Sequence, residues 1–146
     1  MLSGIHPILA GDLLAALDRL GHGDELVVAD ANFPAHRVGT AVIEAPGLGA
    51  PAVVAAIRTV VPLDAYEAES VLLMTAEGVE RPPVQRELVE AADAPAGRVA
   101  DLERFAFYER AAGARLIVRT GELRPYGNLL LRKGVVNAYV PTGAAR

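Results

Sequence analysis

The sequence has no cysteine, only two serines and only one lysine among its 146 residues. The lack of cysteine excludes disulfide bridges, a thiolate nucleophile and the common cysteine zinc sites. Neither Ser3 nor Ser70 lies in the G-x-S-x-G setting of a serine hydrolase. Lys133 stands in a polar Arg-Lys-Gly stretch, which disfavours a desolvated Schiff-base lysine. The fold must therefore be held together by packing, and the common forms of covalent catalysis are disfavoured.

An excess of basic charge and long apolar runs are also missing. Asp and Glu outnumber Lys and Arg by 18 to 14, and the basic residues are scattered along the chain, unlike the footprint of a nucleic-acid-binding protein. No window approaches the roughly 20 apolar residues of a membrane span, and the first residues lack the basic start and apolar core of a signal peptide. We therefore expect a cytoplasmic protein that binds neither nucleic acid nor membrane.

What the sequence does contain is an alternation of helical and strand-like segments. Hydrophobic residues make up 52% of the chain, which suits one domain over residues 1–146. Helical spacing of leucines predicts a first helix over 12–20 that Gly21 ends, and the apolar run 26–29 predicts a buried strand before Asp30. Further helices are predicted over 51–61, 84–92 and 104–114, and further strands over 40–45, 70–75 and 114–120. This pattern predicts an α/β fold with a mostly parallel sheet and helices on both faces.

Three familiar kinds of site are not supported. The glycines on either side of His22 follow a predicted helix and lack a third partner, whereas a dinucleotide-binding fingerprint follows a strand and opens a helix. A phosphate-binding P-loop is absent. A metal site would have to use His6, His22 and His36 together with carboxylates, and none of these histidines is three or four residues from another, as helical ligand pairs are.

The remaining candidates are polar residues that lie beside glycines and aromatic residues: His22, Asp24, Asp30, Arg104, Tyr108, Tyr126 and Asn128. His22 can interact with the last carbonyls of the first helix, or it can meet a ligand that Gly21 and Gly23 allow to approach closely. Asp30 fits either a turn or a ligand contact, since ligands of such sheets bind outside the carboxyl ends of strands. Asp24 is interpreted as structural, through a local bond to the backbone.

By themselves, the later candidates have ordinary explanations. Arg104 fits a solvated helix residue, and the neighbouring Phe105, Phe107 and Tyr108 fit a core or an interface. The Pro-Tyr-Gly-Asn stretch around Tyr126 fits a turn.

Four motifs in order nevertheless resemble one known family. These are LGHGDE at 20–25, VVADANFPAH at 27–36, RFAFYERA at 104–111 and YGNLLLRKGV at 126–135. Together they are similar to the L-fucose mutarotase family, which is related to D-ribose pyranase. The similarity covers most of the chain and is strongest over 7–39 and 104–135.

This resemblance implies an enzyme that interconverts the anomers of a free monosaccharide without a cofactor or a metal. It implies that His22 is the catalytic residue and that the sugar-binding residues are Asp30, Arg104, Tyr126, Gly127 and Asn128. It also implies a three-layer α/β sandwich and a ring-shaped homo-oligomer, commonly a decamer, whose sites draw on neighbouring subunits. The apparently exposed Phe-Ala-Phe-Tyr segment would suit such an interface. Residues from about 137 to 146 form a tail beyond the family's extent.

Two alternatives remain open at this point. A D-ribose pyranase would begin with the same ring opening, although in that branch a histidine tends to occupy the position of Arg104 and the FAFYER motif is missing. A noncatalytic sugar-binding subunit of an uptake system would use the same polar residues without turnover. In either enzymatic interpretation, we expect the first strand to carry Asp30 into the pocket that contains His22.

Overall fold

The computed structural model describes residues 2–39, 41–78 and 80–138. Its six-stranded sheet is formed by β1 (Glu25–Ala29), β2 (Val42–Ala45), β3 (Val71–Met74), β4 (Val99–Leu102), β5 (Leu116–Thr120) and β6 (Leu129–Arg132). The helices are α1 (Gly11–Asp18), α2 (Ala35–Val38), α3 (Ala50–Arg58), α4 (Pro83–Ala92) and α5 (Arg104–Gly113), with a short 3₁₀ turn at Ala96–Arg98. The strand order across the sheet is β2-β5-β1-β6-β3-β4.

One strand reverses the direction of the sheet. β6 lies between β1 and β3 and is antiparallel to both, whereas the other neighbouring strands pair in parallel. We call the edge where β1 to β5 end the carboxyl edge, and the edge where they begin the amino edge. Because Val28 pairs with Leu129 and Glu25 with Arg132, β6 starts at the carboxyl edge and finishes at the amino edge. Asn128 is thereby brought beside the end of β1.

Apolar side chains cover both faces of the sheet. On β1, Leu26 and Val28 belong to the core beneath α1, α3 and α4, whereas Val27 and Ala29 belong to the core beneath α2 and α5. All four side chains are fully buried, because each face is covered by helices. The mostly parallel α/β sheet with helices on both faces is thus confirmed.

The helix that carries Arg104 has a clear start. The Glu103 side chain accepts hydrogen bonds from the backbone N–H groups of Phe105 and Ala106, as an N-terminal cap does. Phe107 is fully buried, while Phe105 is 70% exposed. The expectation of an exposed aromatic segment therefore holds for Phe105 and is wrong for Phe107, which faces the sheet.

The sequence analysis assigned no helix or strand to β4, β6 or α2, and it placed several ends one to three residues away. β4 is an edge strand whose residues are only partly buried and include Asp101, so it has no continuous apolar run. α2 is four residues long, too short for a helical spacing pattern to appear. Of the expected tail, residues 137 and 138 are exposed and 139–146 lie outside the described residues, as does Thr40 of the second predicted strand. Within the described ranges, no helix combines the length and apolarity that crossing a membrane requires.

Candidate active site

Most of the polar candidates surround a cavity of about 260 Å³ at the carboxyl edge. It is lined by Asp30, Asn32, Phe33, Met74, Arg104, Tyr108, Pro125, Tyr126 and Asn128. A larger cavity of about 620 Å³ lies beside α1, but its lining is mainly apolar and includes none of the candidates. We take the smaller cavity as the candidate site because it collects a carboxylate, two amides, a guanidinium and two phenols. It is smaller than the roughly 300–1,000 Å³ of sites for drug-sized ligands, which suits a small polar molecule.

Asp30 and Asn128 form a buried pair on the floor of this cavity. The Asp30 backbone N–H donates to Asn128 Oδ1 at 2.9 Å, and Asn128 Nδ2 donates to Asp30 Oδ2 at 2.9 Å. The backbone N–H of Asn32 donates to the other carboxylate oxygen at 2.9 Å. Burial raises the pKa of Asp30 above its ordinary value of 3.8, although the hydrogen bonds from Asn32 and Asn128 oppose this rise. When ionised, each oxygen of Asp30 still has a lone pair with which to accept from a ligand.

The Tyr126 backbone is held in an unusual conformation. Tyr126 has a φ of +62°, which residues other than glycine seldom adopt. On α4, the fully buried Gln85 donates from Nε2 to the Tyr126 carbonyl at 3.2 Å and to the Met74 carbonyl at 2.6 Å. This amide therefore ties the Tyr126 loop to the end of β3.

Gly127 follows in a position where only glycine fits. A Cβ atom there would lie 2.8 Å from Glu122 Cγ and 3.2 Å from the Arg124 carbonyl oxygen. Gly127 does not line the cavity itself, but it allows the chain to pass close to Glu122 between Tyr126 and Asn128.

An ion-pair network anchors the same loop from the outside. The buried Glu122 accepts from Arg124 Nε at 2.8 Å, and both terminal nitrogens of Arg124 donate to Glu87 on α4 at 2.8 and 2.9 Å. The hydrogen bond from Arg124 is the main reason that the pKa of Glu122 falls to about 2. These contacts stabilise the loop that carries Tyr126 and Asn128.

Arg104 reaches the cavity from the first turn of α5. Its Nε donates to the Tyr108 hydroxyl at 3.3 Å, and its guanidinium carbon lies 5.5 Å from the Tyr108 ring centre and 5.7 Å from that of Phe105. Such cation–π contacts orient a guanidinium without neutralising it. Tyr108 is in turn packed against the Phe33 ring, at 5.5 Å between centres. A charged donor is thus available on the wall of the cavity.

His22 does not lie in this cavity. It precedes β1 at the amino edge, whereas Asp30 follows β1 at the carboxyl edge, and the five residues of β1 alone span roughly 13 Å. His22 Nε2 instead lies 3.1 Å from Oδ1 of Asp64, and the imidazole is 49% exposed. The expectation that Asp30 and His22 share a pocket is therefore wrong within a single chain, because the strand that joins them also separates them.

The nearby Asp24 has the structural role expected of it, since its Oδ2 accepts from the Gly21 backbone N–H at 2.8 Å. The sequence analysis missed three other residues near the candidates: Asp64, Gln85 and Glu122. Gln85 could have been found, because it lies three residues before Leu88 on the buried face of a predicted helix. Asp64 and Glu122 lie in irregular segments, where no periodic pattern reveals burial.

By its fold and its cavity, this is a small α/β protein with a polar pocket at the carboxyl edge of its sheet. The chain belongs to the RbsD / FucU transport protein family, which it matches over residues 3–136. The L-fucose mutarotase of Histophilus somni (strain 2336) is 41% identical over 140 residues, which cover 92% of this chain and 97% of the relative. The family resemblance inferred from the four motifs is confirmed.

Two solved structures are also similar to this chain. The fucose mutarotase from Streptococcus pneumoniae, solved in complex with L-fucose, matches with a TM-score of 0.85 and 36% identity, covering 92% of this chain and 99% of its own. RbsD of Bacillus subtilis, solved in complex with D-ribose, matches with a TM-score of 0.74 and 27% identity, covering 90% and 97% respectively. The fold is therefore shared with proteins that bind two different monosaccharides.

Proposed function

We propose that this protein is an isomerase, a mutarotase that exchanges the α and β anomers of L-fucose or a related free monosaccharide. The observation that carries the proposal is the nearly full-length similarity to L-fucose mutarotases. The polar cavity at the carboxyl edge supports it, because a sugar needs several donors and acceptors in a small space. We further propose that residues 1–146 act as one mutarotase domain in the cytoplasm.

Each polar group of the cavity has a role in this proposal. Asp30 accepts hydrogen bonds from sugar hydroxyls, and Asn128 both holds Asp30 and contacts the sugar. Arg104 donates to ring or hydroxyl oxygens, while Tyr126 and the adjoining backbone at Gly127 complete the binding surface. Charge-assisted hydrogen bonds from Arg104 and to Asp30 supply much of the orientation of the sugar.

The proposed reaction consists of proton transfers alone. His22 takes the proton of the anomeric hydroxyl, the bond between the anomeric carbon and the ring oxygen breaks, and the ring oxygen takes up a proton. The aldehyde end rotates and the ring closes on its other face, which returns the imidazole to its starting state. A histidine suits this cycle because its ordinary pKa of about 6.5 allows it to give and take protons near neutrality.

The separation of His22 from the cavity leads to a second part of the proposal. Since one chain presents its imidazole at one edge and its sugar pocket at the other, His22 of a neighbouring copy completes each site. The exposed Phe105 beside Arg104 supports a contact between copies, because a large apolar side chain next to a polar pocket suits an interface. A ring-shaped homo-oligomer, with ten subunits as the family resemblance implies, satisfies this requirement for every subunit.

A D-ribose pyranase is the second candidate function. The similarity to RbsD of Bacillus subtilis in complex with D-ribose favours it, and pyran to furan conversion begins with the same ring opening. One methyl group in an apolar pocket typically changes the free energy that distinguishes two substrates by only about 1–3 kcal/mol. Both L-fucose and D-ribose can therefore react, at different rates.

The test is anomer exchange measured by saturation-transfer NMR, with L-fucose and D-ribose in parallel. We expect the intact protein to accelerate exchange of L-fucose more than that of D-ribose. The His22→Ala variant should lose on the order of a hundredfold to ten-thousandfold in rate, the range of general acid–base catalysis. The matched control is His36→Ala, which removes an exposed histidine paired with Glu44 and should leave the rate unchanged. Saturable sugar binding without any acceleration would favour a noncatalytic sugar-binding protein instead.

A further inference from the structure

One amide of the carboxyl-edge cavity has no role in the proposed function. Asn32 lies two residues after Asp30, in the turn that follows β1, and it lines the same cavity as Asp30 and Arg104. Asp30 and Asn128 are buried, whereas Asn32 is exposed. The contacts of Asn32 therefore decide whether its amide serves the fold or is available to a ligand.

The backbone around Asn32 is held on both sides. The Ala31 N–H donates to the Glu122 carbonyl at 2.9 Å, which ties the turn to the loop that leads to Tyr126. The Asn32 N–H donates to Asp30 Oδ1 at 2.9 Å. The Phe33 N–H donates to the Asp30 carbonyl at 3.2 Å, and the Phe33 side chain is buried. The place of Asn32 at the cavity is therefore fixed by its neighbours.

The side chain of Asn32 is not needed to hold this turn. The hydrogen bond from Asn32 to Asp30 comes from the backbone N–H. Within residues 2–39, 41–78 and 80–138, the Asn32 side-chain amide forms no hydrogen bond. Its carbonyl oxygen and its NH₂ group are both free to bond a ligand, the first as an acceptor and the second as a donor.

The other polar groups of the cavity are used differently. Asn128 accepts the Asp30 backbone N–H with Oδ1 and donates to Asp30 Oδ2 with Nδ2, so its orientation is fixed by that pair. When ionised, Asp30 can only accept hydrogen bonds, and Arg104 can only donate them. Of the two amides, Asn32 is thus the one that can turn both its donor and its acceptor towards a ligand.

A sugar hydroxyl has the same two functions, since it donates one hydrogen bond and accepts others. Sugars that differ at one carbon present a hydroxyl in a different direction, or lack it. A pocket distinguishes them when a group at a fixed place bonds that hydroxyl. Because the exposed Asn32 can return to water when the hydroxyl is missing, we expect moderate rather than strict discrimination.

We propose that Asn32 is a specificity-determining residue, whose side-chain amide bonds one of the sugar hydroxyls at C2, C3 or C4. This inference rests on the proposed function, which places the sugar in this cavity. The anomeric hydroxyl is left out because it must meet the proton carrier His22. Asn32 gives and takes no proton in the reaction, so it acts on sugar binding rather than on the chemical step.

The test compares the intact protein with Asn32→Ala, using L-fucose and its 2-deoxy, 3-deoxy and 4-deoxy analogues. Alanine keeps the backbone N–H that donates to Asp30 and removes only the amide. Ligand-observed saturation-transfer difference NMR measures Kd without requiring turnover. We expect Kd for L-fucose to rise roughly threefold to tenfold, the usual net effect of one hydrogen bond. The kcat for anomer exchange should change less than about twofold.

The analogues identify the hydroxyl that Asn32 contacts. The analogue that lacks this hydroxyl should bind the intact protein and Asn32→Ala with Kd values equal within about twofold. The other two analogues should show the same loss as L-fucose, because their contact with the amide is retained. The matched control is Asn137→Ala, which removes an exposed amide past β6 and should leave every Kd unchanged.

The outcomes separate this inference from the proposed function. An unchanged Kd for L-fucose in Asn32→Ala, or an equal loss with all three analogues, would overturn the role of Asn32 even if the intact protein accelerates anomer exchange. If the intact protein binds L-fucose but accelerates no sugar, the proposed function fails, and the Kd values still decide the role of Asn32. Absence of saturable L-fucose binding to the intact protein would overturn both.

Discussion

The two edges of the sheet differ in how they hold their polar groups. At the carboxyl edge, Asp30 and Asn128 are buried and bonded to each other, so two hydrogen bonds fix the orientation of both side chains. At the amino edge, His22 is half exposed, and its Nε2 lies 3.1 Å from Oδ1 of the buried Asp64. Under the proposed function, one chain thus divides sugar binding and proton transfer between opposite edges of its sheet. In an oligomer each subunit can then give a histidine to one neighbour and receive one from another.

After His22→Ala, the largest expected effect is at the buried pair of the carboxyl edge. Asn128→Ala removes the donor to Asp30 Oδ2 and the acceptor of the Asp30 backbone N–H. Hydrogen bonds to charged groups are worth about 1.5–3 kcal/mol, so KM for the sugar should rise roughly 10- to 150-fold. Exchange kinetics over a range of sugar concentrations measure the change.

Asn137→Ala, at an exposed position past β6, is the control and should leave KM unchanged. If Asn128→Ala kept its KM and lost only kcat, the assignment of binding to the carboxyl edge would not stand.

A smaller effect is expected at the support of the Tyr126 loop. Gln85→Leu keeps a similar volume but leaves the Met74 and Tyr126 carbonyls without their shared donor. We expect the free energy of unfolding to fall by about 1–3 kcal/mol and KM to rise on the order of tenfold, because the loop can shift. Urea unfolding and exchange kinetics measure the two quantities. Glu90→Gln, exposed on the same helix, is the control, and equal behaviour of the two variants would show that Gln85 does not position the loop.

The smallest effect concerns the acid stability of the carboxyl edge. The pKa of Glu122 is about 2 in the folded protein and near its ordinary 4.5 in the unfolded chain, mainly because of the hydrogen bond from Arg124. A depressed pKa stabilises the fold above about pH 4.5, and this contribution is lost as the pH falls from there towards 2. Glu122→Gln should therefore show a smaller loss of thermal stability between pH 5 and pH 3 than the intact protein. An identical pH dependence would argue against this ion pair as a stabilising contact.

The sheet and the polar pocket could largely be predicted from the sequence, for physical reasons. The apolar run of β1 is buried on both faces, and such a strand can be recognised in the sequence by its continuous run of apolar residues. Asp30 follows that strand, and the general location of ligands at strand ends then indicates its role. Asn128 joins Asp30 only because β6 is antiparallel, a pairing that the residues alone did not reveal.

The contacts of the amino edge could not be predicted. The partners His22 and Asp64 are 42 positions apart in the chain, and Asp64 lies in an irregular segment between α3 and β3. No local pattern marks a buried aspartate there, since its burial comes from the bridge to β6. The distance between His22 and Asp30 was also not predicted. The two residues are close in sequence, but β1 lies between them and places them at opposite edges of the sheet.

We propose that the histidine and the pocket of one site come from different subunits, and a mixing experiment tests this arrangement most directly. His22→Ala and Asn128→Ala subunits are dissociated, mixed in equal amounts and reassembled, and exchange is measured at a sugar concentration below KM. The His22→Ala protein should be near background and the Asn128→Ala protein roughly 10- to 150-fold below the intact protein. About a quarter of the sites in the mixture should regain both halves and intact activity. If the mixture is no more active than the average of the two separate variants, both halves of the site belong to one chain and the account is contradicted.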